Sequence, residues 1–80
     1  MVLTDFLNVQ LALASTFAEM ASDSFAAGRI GNARKAAAAA TEAYGTVRRV
    51  LPKLTVQERE PIEAKLAILD PMIEKLADMS

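Results

Sequence analysis

The fold is decided by residues 30–51, which read IGNARKAAAAATEAYGTVRRVL and contain seven alanines. Alanine has the highest helix propensity of all residues, so this stretch is predicted to be helical on local grounds alone. Its apolar residues recur at steps of three and four along two neighbouring faces, which suits a helix with a partner on each side. Alanines at such contacts let the helix backbones approach closely. We therefore predict a middle helix over about residues 32–51, flanked by two others.

A second helix is predicted before this stretch, over about residues 5–27, with Thr4 as a candidate N-cap. Its apolar residues form two neighbouring rows, and a bundle interior can take one row fully and the other only in part. We expect the interior to take the row that begins at Phe6, so that the other row remains partly outside. The first row is Phe6, Val9, Leu13, Phe17, Met20 and Ser24, and the other is Leu7, Leu11, Ala14, Ala18, Ala21 and Phe25.

A third helix is predicted over about residues 56–77. Thr55 and Glu58 have the spacing of a capping box, in which each side chain accepts a hydrogen bond from the backbone N–H of the other residue. Pro61 and Pro71 each remove one helical hydrogen bond, yet the apolar steps of three and four continue across Pro71. We predict one helix kinked at both prolines. The alternative is a break at Asp70, because Asp-Pro is also a good helix start.

The whole chain, residues 1–80, is predicted to be a single all-α domain. Eighty residues are too few for two independently folding units, which need more than about 40 residues each. The connections, about residues 28–31 and 52–55, are short, and short connections make consecutive helices antiparallel neighbours. The predicted architecture is an antiparallel three-helix bundle.

Composition removes most kinds of catalytic and metal site. The chain has no Cys and no His, so thiolate sites and the commonest metal ligand and general base are missing. No serine or threonine has a base to activate it, and the acidic pairs on the third segment fit a solvated helix face. We therefore predict no catalytic residue, no metal, no cofactor and no enzymatic activity. The most apolar window, residues 11–21, is interrupted by Ser15, Thr16 and Glu19, so no membrane span is expected. A cytoplasmic location is predicted because the chain has no Cys and its N-terminal region lacks the basic residues of a secretory signal.

Charge is distributed unevenly although the net charge is only −1. Residues 1–27 carry three acids and no base, whereas residues 28–53 carry six bases and one acid. The middle helix therefore presents a candidate basic patch at Arg34, Lys35, Arg48 and Arg49, which suggests binding of a small anionic ligand or nucleic acid as an alternative function. We do not expect nucleic-acid binding, because no aromatic residue interleaves with these cations and the chain is not basic overall.

The leading functional prediction is a non-catalytic helical module that binds a second copy of itself or a partner helix. Its basis is an excess of apolar residues, with a mean hydropathy of +0.21 in a small chain. The excess is largest on the first helix, so Leu7, Leu11 and Ala14 are predicted to form the interaction surface. A continuous apolar row is uncommon on the surface of a soluble monomer, and a two-fold contact along this helix would cover it.

Residues 17–44 resemble the helical hairpin of tetratricopeptide repeats. Phe17, Met20 and Ala21 match the first helix of that family, and Gly28, Ile30, Ala33 and Ala40 match its turn and second helix. Ser24 and Ala37 stand where the family has aromatics, and Gly45 stands where it has its terminal proline. With its longer second helix and amphipathic third helix, the chain is also similar to the microtubule-interacting and trafficking domain. That resemblance implies a three-helix module that binds short peptide helices or strands in the grooves between its helices.

Overall fold

The computed structural model describes residues 3–78, which form three α-helices arranged up, down and up. They are α1 (Leu3–Ala26), α2 (Ile30–Val50) and α3 (Val56–Asp78), and a 3₁₀ turn at Leu51–Lys53 precedes α3. The prediction of an all-α three-helix bundle is confirmed, and the predicted ends lie within two residues of the observed ones. Thr4 lies inside α1, so its prediction as an N-cap is wrong. None of the helices in residues 3–78 is both long and apolar enough to cross a membrane.

The turn between α1 and α2 is built by Gly28. Its φ of +81° lies in the left-handed region, which glycine adopts without steric cost. The N–H of Gly28 donates to the carbonyl of Phe25 at 3.0 Å, and the N–H of Arg29 donates to that of Ser24 at 2.8 Å. These two bonds make a Schellman motif, which satisfies carbonyls that the end of α1 would leave free. The chain reverses within three residues and α2 returns along α1.

The start of α3 is the capping box that the sequence predicts. The backbone N–H of Glu58 donates to Thr55 Oγ1 at 3.2 Å, and the N–H of Thr55 donates to Glu58 Oε1 at 3.0 Å. From there α3 continues through Pro61 and Pro71, so the alternative of a break at Asp70 is wrong. Both prolines are exposed, so water can satisfy the carbonyls that they free. The kink at these prolines stays a prediction.

The core is wide at one end and narrow at the other. At the wide end, the start of α1, the end of α2 and the start of α3 meet, and large side chains such as Leu7, Val47, Leu54 and Ile62 fill the space. At the narrow end the contact consists mainly of alanines from α1 and α2, with one large side chain from α3: Ala18, Ala21, Ala36, Ala40 and Leu76. The molecule is accordingly flat, with extents of 42 × 22 × 15 Å.

The structure reverses the predicted roles of the two apolar rows on α1. Leu7, Leu11 and Ala14, which the sequence suggested as an interaction surface, are core residues with exposed fractions of 0%, 4% and 0%. The row that begins at Phe6 faces outward instead. The predicted interaction surface at Leu7, Leu11 and Ala14 is therefore wrong, and large apolar residues of the other row take its place on the surface.

The reason for this reversal is the size of the residues at the α1–α2 contact. The buried part of the row that contains Leu11 continues through Ala14, Ala18 and Ala21, which pack with alanines of α2 and let the two helices approach closely. Phe25, the last residue of the row, is exposed. The outward row has Phe17 and Met20 at the same heights, and these side chains would hold the helices apart. The more hydrophobic row is therefore not the core row, because the fit to the alanine-rich helix α2 decides which row is buried.

Candidate interaction surface

α1 presents a row of large apolar side chains at the surface of the bundle. The exposed fractions are 39% for Phe6, 57% for Val9, 41% for Leu13 and 49% for Met20, and Phe17 is half-buried. Steps of three and four residues keep all five on one side of the helix over about 21 Å. We call these five residues the α1 stripe. Single exposed apolar residues are ordinary, but a continuous row marks a site of interaction more often than bare surface.

The α1 stripe is uncovered because α3 packs on the other flank of α1. On that flank Lys65 Nζ donates to Asn8 Oδ1 at 2.6 Å, and Leu11 contacts the helix through Leu66 and Leu69 in the core. Beside the stripe, two shallow grooves of about 390 and 300 Å³ run between α1 and α2. We call this side of the α1–α2 hairpin the open face, which comprises the α1 stripe together with Lys35, Ala39, Glu42 and Thr46 of α2.

A second apolar depression, which we call the end groove, lies between α2 and the last turns of α3. It has a volume of about 660 Å³. It forms because alanines line α2 here, and their short side chains do not fill the space beside α3. Arg34, Thr41 and Glu42 are its polar residues, and its apolar residues are Phe25, Ile30, Ala33, Ala37, Ala38, Leu76 and Ala77.

The structure does not gather the four predicted cations into one patch. Arg34 lines the end groove, whereas Lys35 lies beside the α1 stripe. Arg48 donates to the hydroxyl of Tyr44 at 3.1 Å, and it stands 3.9 Å from a carboxylate oxygen of Asp70 on α3. Its guanidinium also lies 5.7 Å from the centre of the Tyr44 ring.

Most charges of the bundle lack an opposite charge nearby. The Arg48–Asp70 contact is the only ion pair in residues 3–78, although the sequence places a basic helix between two acidic ones. Arg49 donates to the hydroxyl of Thr46 at 3.3 Å. The described part of the chain has no buried polar or charged side chain, and no cluster of acids in it could hold a metal ion. Apolar contact and surface charge are therefore what the described surface offers to a ligand.

Sequence reasoning found the residues of the α1 stripe but assigned them to the core, and it missed the end groove. The available signal for the groove was the run Ala36–Ala40, because such short side chains leave space beside a third helix.

No known protein family, curated protein or solved structure matches the chain. The candidate sites therefore rest on their geometry.

Proposed function

We propose that the protein is a non-catalytic helical module that binds another polypeptide through its open face. The observation that carries this proposal is the exposure of the α1 stripe. A partner that covered these five side chains would remove their apolar surface from water, and each Å² removed would stabilise the complex by about 25 cal/mol. That term is the principal driving force for protein association.

The shape of the open face favours a helical partner. The grooves beside the stripe run along the helices, and an amphipathic helix laid in such a groove inserts anchors at steps of three, four and seven residues. The stripe has the same spacing, so ridges of a partner helix can pass between its side chains. Flanking polar residues such as Lys35 and Glu42 would form the rim of the contact, where water remains.

The test is Leu13→Glu, which places a carboxylate at the centre of the stripe. We expect this variant to remain folded, since Leu13 is partly exposed, and to lose binding of its polypeptide partner by at least about tenfold, because the charge would be desolvated in the contact. Self-association is measured by light scattering. Binding of other polypeptides is measured by affinity capture followed by titration of each purified candidate.

The matched control is Ala67→Glu, which adds the same charge at an exposed position of α3, away from the open face. It should bind as the unmodified protein does. The proposal fails if the unmodified protein is monomeric at millimolar concentration and no purified polypeptide binds in a way that Leu13→Glu abolishes. It also fails if Leu13→Glu and Ala67→Glu weaken binding equally.

A second candidate function is binding of a small amphipathic anion in the end groove. The volume of about 660 Å³ lies within the range of about 300–1,000 Å³ typical of small-molecule sites. The groove is mostly apolar, and Arg34 places a guanidinium on its rim without an ion pair to residues 3–78. An aliphatic chain could lie against Ile30 and Leu76 while its carboxylate meets Arg34. The four cations do not form one patch, which adds to the reasons against nucleic acid.

Dodecanoate is a suitable probe for the end groove. We expect Arg34→Ala to weaken its binding by roughly threefold to tenfold, since a charge-assisted contact is lost at a solvated rim. The control is Lys35→Ala, which removes the neighbouring cation from a different face of α2. Isothermal titration below the micelle concentration measures both. The second candidate fails if dodecanoate does not bind, or if the two variants lose the same affinity.

A further inference from the structure

We infer that the partner on the open face is a second copy of this chain, with α1 of each copy packed against α2 of the other. This inference rests on the proposed function, because it names the occupant of the same surface. Side-chain size and charge both favour this arrangement over the other two-fold arrangement, in which α1 packs on α1.

Side-chain size on the open face favours packing of α1 on α2. On the open face α1 contributes large side chains such as Leu13 and Phe17, whereas α2 contributes small ones, Ala39 and Thr46, at the same height. Large side chains packed over small ones interdigitate, as close packing requires. Packing α1 on α1 would place the large residues on one another and leave the small surface of α2 uncovered.

The charges along the outer edges of the open face also favour packing of α1 on α2. α1 carries Asp5 and Asp23, which are five helical turns apart and hence on the same side of the helix. α2 carries Lys35 and Arg49, about four turns apart. All four side chains are exposed, and none has an ion pair within residues 3–78. Each helix edge thus carries like charges at both ends, acidic on α1 and basic on α2.

A two-fold axis parallel to the helices brings these edges together. Because α1 and α2 of one copy are antiparallel, this axis places α1 beside α2 of the other copy, also antiparallel and at the same height. Asp23 and Lys35 both lie near the turn at Gly28, so they meet at one end of the contact. Asp5 and Arg49 meet at the other. Asp5 and Asp23 are about 27 Å apart along α1, whereas Lys35 and Arg49 are about 21 Å apart along α2. When the two helices are centred on each other, each pair is offset by about 3 Å, which long Lys and Arg side chains can span.

The size of the open face agrees with what a stable dimer needs. α1 has 24 residues and is therefore about 36 Å long, and two adjacent helices are about 20 Å wide. The face thus has a projected area of about 700 Å² per copy, of the same order as the roughly 800 Å² of accessible surface that each partner buries in a standard interface. The two-fold axis repeats every contact, so both charge pairs and the large-on-small packing occur twice.

In the other two-fold arrangement, with the axis perpendicular to the helices, a charge reversal at position 23 has the opposite effect on the affinity of the dimer. It brings Asp5 of one copy near Asp23 of the other, so two acidic edges face each other. A cation at position 23 would relieve that repulsion and strengthen such a dimer. In the inferred arrangement the same cation meets Lys35 and weakens the dimer. Reversal of single charges therefore distinguishes the two.

The experiment uses the full chain with Asp23→Lys, Lys35→Glu, and both changes together. Dissociation constants come from sedimentation equilibrium at low and high salt, with circular dichroism as the folding control. We expect each single variant to dimerise roughly threefold to tenfold more weakly than the unmodified protein at low salt, and less so at high salt. The double variant should regain the original affinity, and an equimolar mixture of the single variants should form heterodimers. Glu63→Lys, an equal charge change on an exposed position of α3, should have no effect.

Three outcomes would overturn the inference. A stronger dimer with Asp23→Lys would establish the arrangement of α1 on α1. If the single variants weaken the dimer and neither the double variant nor the mixture restores it, Asp23 and Lys35 do not contact each other across the dimer. A monomer at millimolar concentration would exclude the second copy, and the proposed function would then stand only if another polypeptide binds in a way that Leu13→Glu abolishes. If either single variant is misfolded, Asp5→Lys and Arg49→Glu repeat the test at the other end.

Discussion

Leu11→Glu is expected to unfold the protein. Leu11 is buried among Leu7, Ile62, Leu66 and other residues at the wide end of the core. Removing a buried leucine side chain costs about 2–5 kcal/mol, and placing an unpaired carboxylate in its position adds several more. A chain of this length has a total stability of about 4–12 kcal/mol. The change therefore consumes most or all of the free energy of folding.

The control for this prediction is Leu13→Glu, the same substitution two residues further along α1. Leu13 lies in the α1 stripe, so the variant should keep its helical circular dichroism and unfold cooperatively in urea. Both variants are compared at low protein concentration, because dissociation of a dimer would itself lower the apparent stability. Equal unfolding of the two variants would contradict the assignment of core and surface on α1. A folded Leu11→Glu protein would contradict it too.

Ala40→Leu is expected to cost about 1–3 kcal/mol of folding free energy. Ala40 is fully buried at the narrow end of the core, where it packs with Ala18, Ala21 and Leu76. Three further carbon atoms cannot fit between helices in such close contact without displacing one of them, and overpacking of this kind costs energy although the residue is more hydrophobic. The midpoint of urea unfolding measures the loss.

Ala38→Leu provides the comparison, since Ala38 is exposed on the same helix two residues earlier. Its effect on unfolding should stay within about 0.5 kcal/mol. Because Ala38 lines the end groove, the variant also reports on that site, where the added side chain should reduce dodecanoate binding. Unchanged or raised stability of Ala40→Leu would show that α1 and α2 are not in close contact at this height.

The two core predictions and the proposed interface depend on one feature, the rotation of α1 about its own axis. Neighbouring residues of a helix are separated by about 100°, so a turn of that size exchanges the row of Leu7 and Leu11 for the row of Phe6 and Leu13. One row stabilises the monomer and the other is left exposed. Stability measurements on Leu11→Glu and binding measurements on Leu13→Glu therefore both test how α1 is rotated about its own axis, the first through the buried row and the second through the exposed row.

The sequence by itself determined the three helices and most of their ends, although not the start of α1. Alanine propensity fixed α2, the Thr55–Glu58 spacing fixed the start of α3, and Gly28 fixed the turn that makes α1 and α2 antiparallel. Each of these signals acts between residues close along the chain, so neighbouring residues suffice to identify it. The sequence also identifies the four cations of α2, but it does not show that they lie at different places on the surface.

Only the tertiary structure decided which row of α1 is buried. Both rows are apolar and helically spaced, so local patterning does not distinguish them, and hydrophobicity alone favours the row with Phe17 and Met20. The choice depends on α2, whose alanines admit only a partner with small residues at the same height, such as Ala18 and Ala21. The end groove arises in the same way, from short side chains on α2 that α3 does not fill. Packing density couples residues distant in sequence, and for this reason the fit between the helices decides which apolar residues stay at the surface.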